Sequence, residues 1–226
     1  AVADKPGRLV SEDCLPVILG DPQPFSSRGG FKLEHALKQF DILPVGKTVV
    51  DVGASTGGFT DCLLQNGAEK VYAVDVGYGQ LDWKLRNDPR VICRDRKNAR
   101  NLSKEDIGET LDLAVIDVSF ISLQLVIPPL LKILKPEGQL VALVKPQFEV
   151  GKNDMEHRGI IKDPAKHISV LLELNRFIEE KEWSIINATE SPITGQKGNR
   201  EFLIHCVDNR YGKPVEENTL RKIVRN

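Results

Sequence analysis

Apolar residues in this chain fall in two patterns, helical spacing and short continuous runs, and the two alternate along it. From Gly30 the spacing is helical: Leu33, Leu37 and Phe40, with Ala36 beside them, share one face up to Pro44. Lys47–Gly53 (KTVVDVG) is a continuous apolar run and reads as a buried strand. Phe59 to Asn66 is helical again, closed by Gly67. Val71–Gly77 (VYAVDVG) and Arg90–Asp95 (RVICRD) predict a second and a third strand. Leu111–Ser119 (LDLAVIDVS) predicts a fourth, followed by an apolar helix to Leu134 and a Pro-Glu-Gly turn. Gln139–Pro146 (QLVALVKP) is the fifth. A polar loop then runs from about Glu149 to Asp163, and loops of that length are commonly functional. The helix from Ala165 to about Lys181 carries Ile168, Leu171, Leu172, Leu174 and Phe177. Trp183–Glu190 and Glu201–Val207 read as two closing strands, antiparallel across the turn Thr194–Asn199.

This alternation predicts an α/β fold: a doubly wound, mostly parallel, seven-stranded sheet with an antiparallel last strand. Residues 1–24 break the pattern. They are rich in Pro, Gly and Asp and read as one or two short strands plus a linker ending in Asp21-Pro22-Gln23-Pro24. The expected organisation is this short N-terminal piece and one domain over 25–226.

Composition narrows the chemistry. The formal net charge of -1 announces no nucleic-acid partner in bulk, although charge can still be concentrated locally. Cys14, Cys62, Cys93 and Cys206 form no CxxC pair, and His35, His157, His167 and His205 are scattered. Neither a disulfide framework nor a metal site is expected. No apolar run reaches the roughly 18 residues of a membrane span. The longest, LQLVIPPLLKIL from Leu123, is interrupted by two prolines and a lysine. These bounds suit a cytoplasmic enzyme.

The sharpest local signal is VVDVGASTGGFTDCLL from Val49: a buried strand, a glycine turn, then a helix. Ligands bind at the carboxyl ends of such strands, where glycines let them approach the backbone. A dinucleotide fingerprint wants G-x-G-x-x-G, but Gly53-x-Ser55-x-x-Gly58 lacks the middle glycine. Asp51 also stands two positions before Gly53. A carboxylate there suits an ammonium, held directly or through water, better than a pyrophosphate. S-adenosylmethionine carries an ammonium and a sulfonium and no phosphate, so the loop fits it better than NAD. The cofactor site read this way comprises Asp51, Gly53, Ala54, Ser55, Thr56, Gly57, Gly58 and Phe59. Asp75, with Val76, ends the second strand and can accept from both ribose hydroxyls. Asp95, with Arg96, ends the third and can accept from the adenine amino group. The alternative for these acids is capping or turn formation.

Seven stretches then resemble a known family: SRGGFKLEHAL from Ser27, DVGASTGGFTDCLL from Asp51, VDVGYGQLDWKLRNDPRV from Val74, AVIDVSFISL from Ala114, LVKPQFEVGK from Leu143, RGIIKDPAKH from Arg158 and SPITGQKGNREFL from Ser191. In order over residues 25 to about 207 they are similar to the TlyA-type ribosomal RNA methyltransferases, often labelled hemolysins, within the FtsJ-like group. The resemblance implies a Rossmann-like fold that uses S-adenosylmethionine and releases S-adenosylhomocysteine. It implies 2′-O-methylation of a cytidine ribose in ribosomal RNA or ribosomal subunits. It also implies a catalytic tetrad, Lys32, Asp117, Lys145 and Glu201, with Asp117 bordering the cofactor as well. The family usually has Glu-Arg-Thr-Asn-Ala-Arg where this chain has Asp95-Arg96-Lys97-Asn98-Ala99-Arg100. Its members carry an N-terminal RNA-binding domain, and KPGRLVSED from Lys5 resembles the end of one, so the chain reads as a fragment.

The tetrad suits the chemistry. Attack by a 2′-hydroxyl on a sulfonium methyl requires the hydroxyl proton to leave. A lysine takes a proton only when neutral, a form favoured by burial or by nearby positive charge. Lys145 is read as deprotonating or aligning the hydroxyl, Asp117 as positioning Lys145, and Lys32 and Glu201 as completing the polar cradle. Arg28, Arg94, Lys97 and Arg100, with Arg86 and Arg96, are candidates for phosphate contacts, the alternative being a solvated face. Phe31, Phe120 and Phe148 stand next to tetrad residues and can stack on a base or pack in the core. Three competing functions are a membrane-acting hemolysin, a non-catalytic RNA- or nucleotide-binding module, and an NAD-dependent oxidoreductase.

Overall fold

The computed structural model describes residues 13–14, 23–150 and 159–225. The strands and linker expected over 1–24 lie mostly outside the described residues, as does the middle of the polar loop after Glu149. Elsewhere every run predicted as a strand forms one. β1 (Thr48–Val52), β2 (Lys70–Val74), β3 (Val91–Arg94), β4 (Leu111–Ile116) and β5 (Leu134–Val144) are parallel, in the spatial order β3-β2-β1-β4-β5. β6 (Trp183–Glu190) and β7 (Phe202–Asp208) complete a seven-stranded sheet. β7 lies between β5 and β6, antiparallel to both.

Alternation along the strands sorts side chains onto two helical layers. Val49, Leu113, Val115, Val141, Leu143 and Leu203 face α1 (Gly29–Gln39) and α2 (Gly58–Gln65), packing on Leu33, Ala36, Leu37, Phe59 and Leu63. Val50, Val52, Ala114, Ile116, Leu140, Ala142 and Ile204 face the other way. They pack on α5 (Leu123–Leu131) and α7 (Pro164–Glu179), through Val126, Ile127, Leu130, Leu171 and Leu174. Between these helices lie the single turns α3 (Trp83–Arg86), α4 (Lys104–Ile107) and α6 (Pro146–Glu149).

Three boundaries differ from expectation. The apolar helix after β4 stops at Leu131 rather than Leu134. The Pro-Glu-Gly segment is a bulge inside β5: Leu111 pairs with Leu134 but Leu113 with Gln139. β5 itself ends at Val144, because Pro146 has no N–H for the ladder and instead opens α6. The sequence reading also missed α8 (Glu217–Arg225), which buries only Leu220 and Val224 against α7 and β6. Leu220, Ile223 and Val224 do recur at helical spacing there, but three apolar positions in nine residues make a short signal.

Candidate active site

The strand alternation that builds the core also aims the chemistry. Continuing each strand past its last apolar residue, Asp117 falls in register with Leu113 and Val115, and Lys145 with Val141 and Leu143. Glu201 precedes β7 in register with Leu203. All three emerge on the α1 side, at the carboxyl edge of the parallel strands, where Lys32 arrives from α1. The Lys145 ammonium pairs with Asp117 Oδ1 at 2.6 Å and donates to Ser119 Oγ at 2.9 Å. Lys32 Nζ donates to Glu201 Oε2 at 2.6 Å, and the two residues are only 8% and 2% exposed. Taking both charges out of water offsets much of their attraction, so this pair argues for a role more than for stability. Glu201 also rests on Gly195, where a Cβ would overlap Oε1.

Both pairs line one cleft of about 350 Å³, together with Arg28, Phe120 and Phe148. A second cavity of about 560 Å³ adjoins it, lined by Asp75, Val76, Lys97, Arg100 and Ile121 among others. Gly53, Ser55, Asp117, Ser119 and Phe120 border both spaces. They meet where Gly53 sits in the left-handed region (φ 86°) and where a Cβ would overlap the Asp117 carbonyl oxygen. Asp75 accepts from the backbone N–H of Ser55 at 2.8 Å through Oδ2 and of Gly77 at 2.7 Å through Oδ1. These bonds hold a carboxylate on the wall of the larger cavity.

The structure thus brings the four expected catalytic residues into one cleft as two ion pairs. The cofactor candidates divide. Gly53, Ser55, Asp75, Val76 and Asp117 line the larger cavity, whereas Ala54, Thr56, Gly58 and Phe59 line the smaller cleft. Gly57 lines neither; its φ of 97° caps α2, and a Cβ would overlap Leu85. Asp51, expected to hold an ammonium directly or through water, lines neither of these two cavities. It shares the face of Val49, is fully buried beneath α2, and accepts from Thr60 Oγ1 at 2.7 Å. Its other oxygen has no hydrogen-bond partner among the described residues. Desolvation pushes this carboxyl up to about 7, against the lowering effect of the Thr60 bond, with Asp117 and Asp75 adding to the rise. Asp95 and Arg96 line neither of these two cavities. Asp95 pairs with Arg86 at 2.8 Å, which holds its carboxyl below the usual range, and Arg96 lies over the Tyr78 ring, 4.4 Å from its centroid.

The expected RNA contacts divide as well. Arg28 is exposed at the smaller cleft and Arg100 at the larger. Arg94 is instead tied to the Asp106 carbonyl at 3.1 Å, and Lys97 to the Asp106 carboxylate at 2.5 Å. Phe120 is 89% exposed and holds a left-handed φ of 63°, a conformation costing about 1–2 kcal/mol for a residue with a side chain. Such strain at a cavity mouth points to a functional constraint. Phe148 lies against it, with ring centroids 4.9 Å apart, while Phe31 packs edge-on to Phe25. The sequence reading missed Ser119, Gln147 and Gly195 in the cleft. Only the place of Ser119, two positions past Asp117, could have suggested it.

Comparison with known proteins gives the family. The FtsJ-like methyltransferase family matches residues 25–207. The Mycobacterium tuberculosis (strain ATCC 25618 / H37Rv) 16S/23S rRNA (cytidine-2'-O)-methyltransferase TlyA is 45% identical over 203 residues, 89% of this chain and 76% of that protein. Hemolysin A of Brachyspira hyodysenteriae is 44% identical over 184 residues, 81% of this chain and 77% of that protein. A solved structure from Streptococcus thermophilus has a TM-score of 0.87 at 43% identity, covering 91% of this chain and 75% of that one. Among the described residues no helix is long and apolar enough to cross a membrane. With most of its length matched, the chain belongs to the FtsJ-like methyltransferase family.

Proposed function

We propose that this protein methylates the 2′-hydroxyl of a ribose, that of a cytidine, in ribosomal RNA, with S-adenosylmethionine as donor. The observation that carries the reading is one cleft holding two lysine–carboxylate pairs, joined at Asp117 to a cavity of nucleoside size. The names of the relatives supply the substrate: the M. tuberculosis protein is named for cytidine-2'-O-methylation of 16S and 23S rRNA.

The larger cavity fits the donor by its chemistry. Asp75 offers a carboxylate to vicinal hydroxyls, and Gly53 presents bare backbone on the cavity wall. Among the described residues, the one basic side chain that reaches this cavity besides Arg100 is Lys97, and it is neutralised by Asp106. A sulfonium nucleoside suits this wall better than a pyrophosphate. When bound, the cofactor supplies a methyl group on a positively charged sulfur.

The protein's own residues then orient the acceptor. Lys145 Nζ, fixed by Asp117 and Ser119, stands where it can align the 2′-hydroxyl; only as a neutral amine, a form that the positive sulfur of a bound donor would favour, could it take up the hydroxyl proton as the O–C bond forms and the S–C bond breaks. Lys32 and Glu201 form the opposite polar wall and restrict how the ribose enters. Phe120, exposed above the junction of the two cavities, offers a ring for the target base, and Arg28 and Arg100 offer phosphate contacts on either side. The deciding experiment is methylation of purified ribosomal subunits with labelled cofactor, with the product mapped by mass spectrometry. Label on a base, on protein or nowhere would reject the reading.

A further inference from the structure

Glu149 takes no part in either cavity, yet it joins the two segments that build the smaller one. The loop after β4 carries Asp117, Ser119 and Phe120 and ends at Ser122, the N-cap of α5. The turn after β5 carries Lys145, Gln147 and Phe148 and ends at Glu149. The Glu149 carboxylate accepts from Ser122 Oγ at 2.7 Å through Oε2 and from Leu123 N at 2.9 Å through Oε1. Ser122 Oγ in turn accepts from Gln124 N at 3.1 Å. One carboxylate thus satisfies a free N–H and the capping hydroxyl at the start of a nine-residue helix, where negative charge is favoured. Burial pushes the Glu149 carboxyl above its usual range, and the two hydrogen bonds oppose that shift.

Between the two anchored ends lie the Lys145–Asp117 ion pair and the Phe120–Phe148 ring pair. Phe120 is nearly fully exposed and in a left-handed backbone conformation, so its own packing does not fix it. A strained residue persists only where its surroundings over-determine it. The strands hold the segments at their starts, and the Glu149 contact ties their far ends together.

We propose that Glu149 is a positioning residue that locks these two segments into one unit, setting Phe120 against Phe148 above the Lys145–Asp117 pair. This rests on the reading of the cleft as the acceptor site. Glu149 lines neither cavity, so its loss should fall on RNA methylation rather than on cofactor affinity.

The test uses the full chain and ribosomal subunits. Glu149→Ala is expected to lower kcat about tenfold, with calorimetric affinity for S-adenosylhomocysteine changed less than about twofold. Glu149→Gln keeps an acceptor for Leu123 N and a hydrogen bond to Ser122, and should restore kcat to within about threefold. Wild-type kcat in Glu149→Ala overturns the proposal, and so does a Gln variant as poor as the Ala variant. If Glu149→Ala does not fold, Ser122→Ala replaces it; a loss of about threefold is then expected, and none overturns the proposal. A second readout needs no activity. With 4-fluorophenylalanine placed at position 120, Glu149→Ala should move or broaden the fluorine resonance, and Glu149→Gln should not. An unmoved resonance overturns the proposal. If the wild-type protein leaves RNA unmethylated, the functional reading fails while the fluorine signal still judges Glu149.

Discussion

Lys32 and Glu201, 169 positions apart in the chain, meet as a buried ion pair at 2.6 Å. Removing one partner strands the other charge in the interior. Lys32→Met should therefore cost about 3–5 kcal/mol of stability, while Lys32→Met combined with Glu201→Leu should recover most of it. Both variants should lose methyl transfer. Urea denaturation measures the first effect, and a double variant no more stable than the single one would contradict the account of the pair.

Lys145 is held at two points, by Asp117 and Ser119, beside the junction of the two cavities. Lys145→Ala should lower the transfer rate at least about a hundredfold and leave cofactor affinity nearly intact, because the side chain lines only the smaller cleft. Single-turnover kinetics with labelled cofactor, beside calorimetry, separate the two quantities. Full activity in this variant would remove Lys145 from the mechanism.

Gly195 is bare where the Glu201 carboxylate rests on it. Its backbone is not in the left-handed region, so the constraint is one of space. Gly195→Ala should fold, since the atom it displaces ends a side chain, but it should shift Glu201 and cut activity about tenfold or more. Near-wild-type activity with an unmoved Glu201 in a crystal structure would disprove the constraint.

Asp51 links folding to pH. Its buried carboxyl is pushed up to about 7 from an ordinary 3.8, so between these values the folded protein holds a proton that the unfolded chain has lost. The stability tied to that proton is fully present below about pH 4 and is lost as pH rises through 7. The full span is worth at most about 4 kcal/mol. Asp51→Asn cannot ionise, so its stability relative to wild type should climb between pH 4 and 7 and level off above. Denaturant titrations across that range give the difference at each pH, and a flat difference would show that Asp51 holds no such proton.

The sequence by itself determined the layered α/β fold and much of the site. Continuous apolar runs and the 3.6-residue period are local properties, and they located the strands and the long helices. The same alternation that buries Leu113, Val115, Val141 and Leu143 places Asp117 and Lys145 on one face, since extended backbone turns each side chain opposite to the last. What only the tertiary structure decided is partnership. Lys32 meets Glu201 because β7 is inserted beside β5 and so brings the residue before it to the edge where α1 packs, a neighbour relation no local pattern encodes. Asp95 pairs with Arg86, nine positions before it, and Asp51 lies buried under α2 against Thr60, partners that the position of an acid at a strand end does not reveal. Which polar group ends up against which is set by packing of distant segments, where burial turns an ordinary charge into a committed pair.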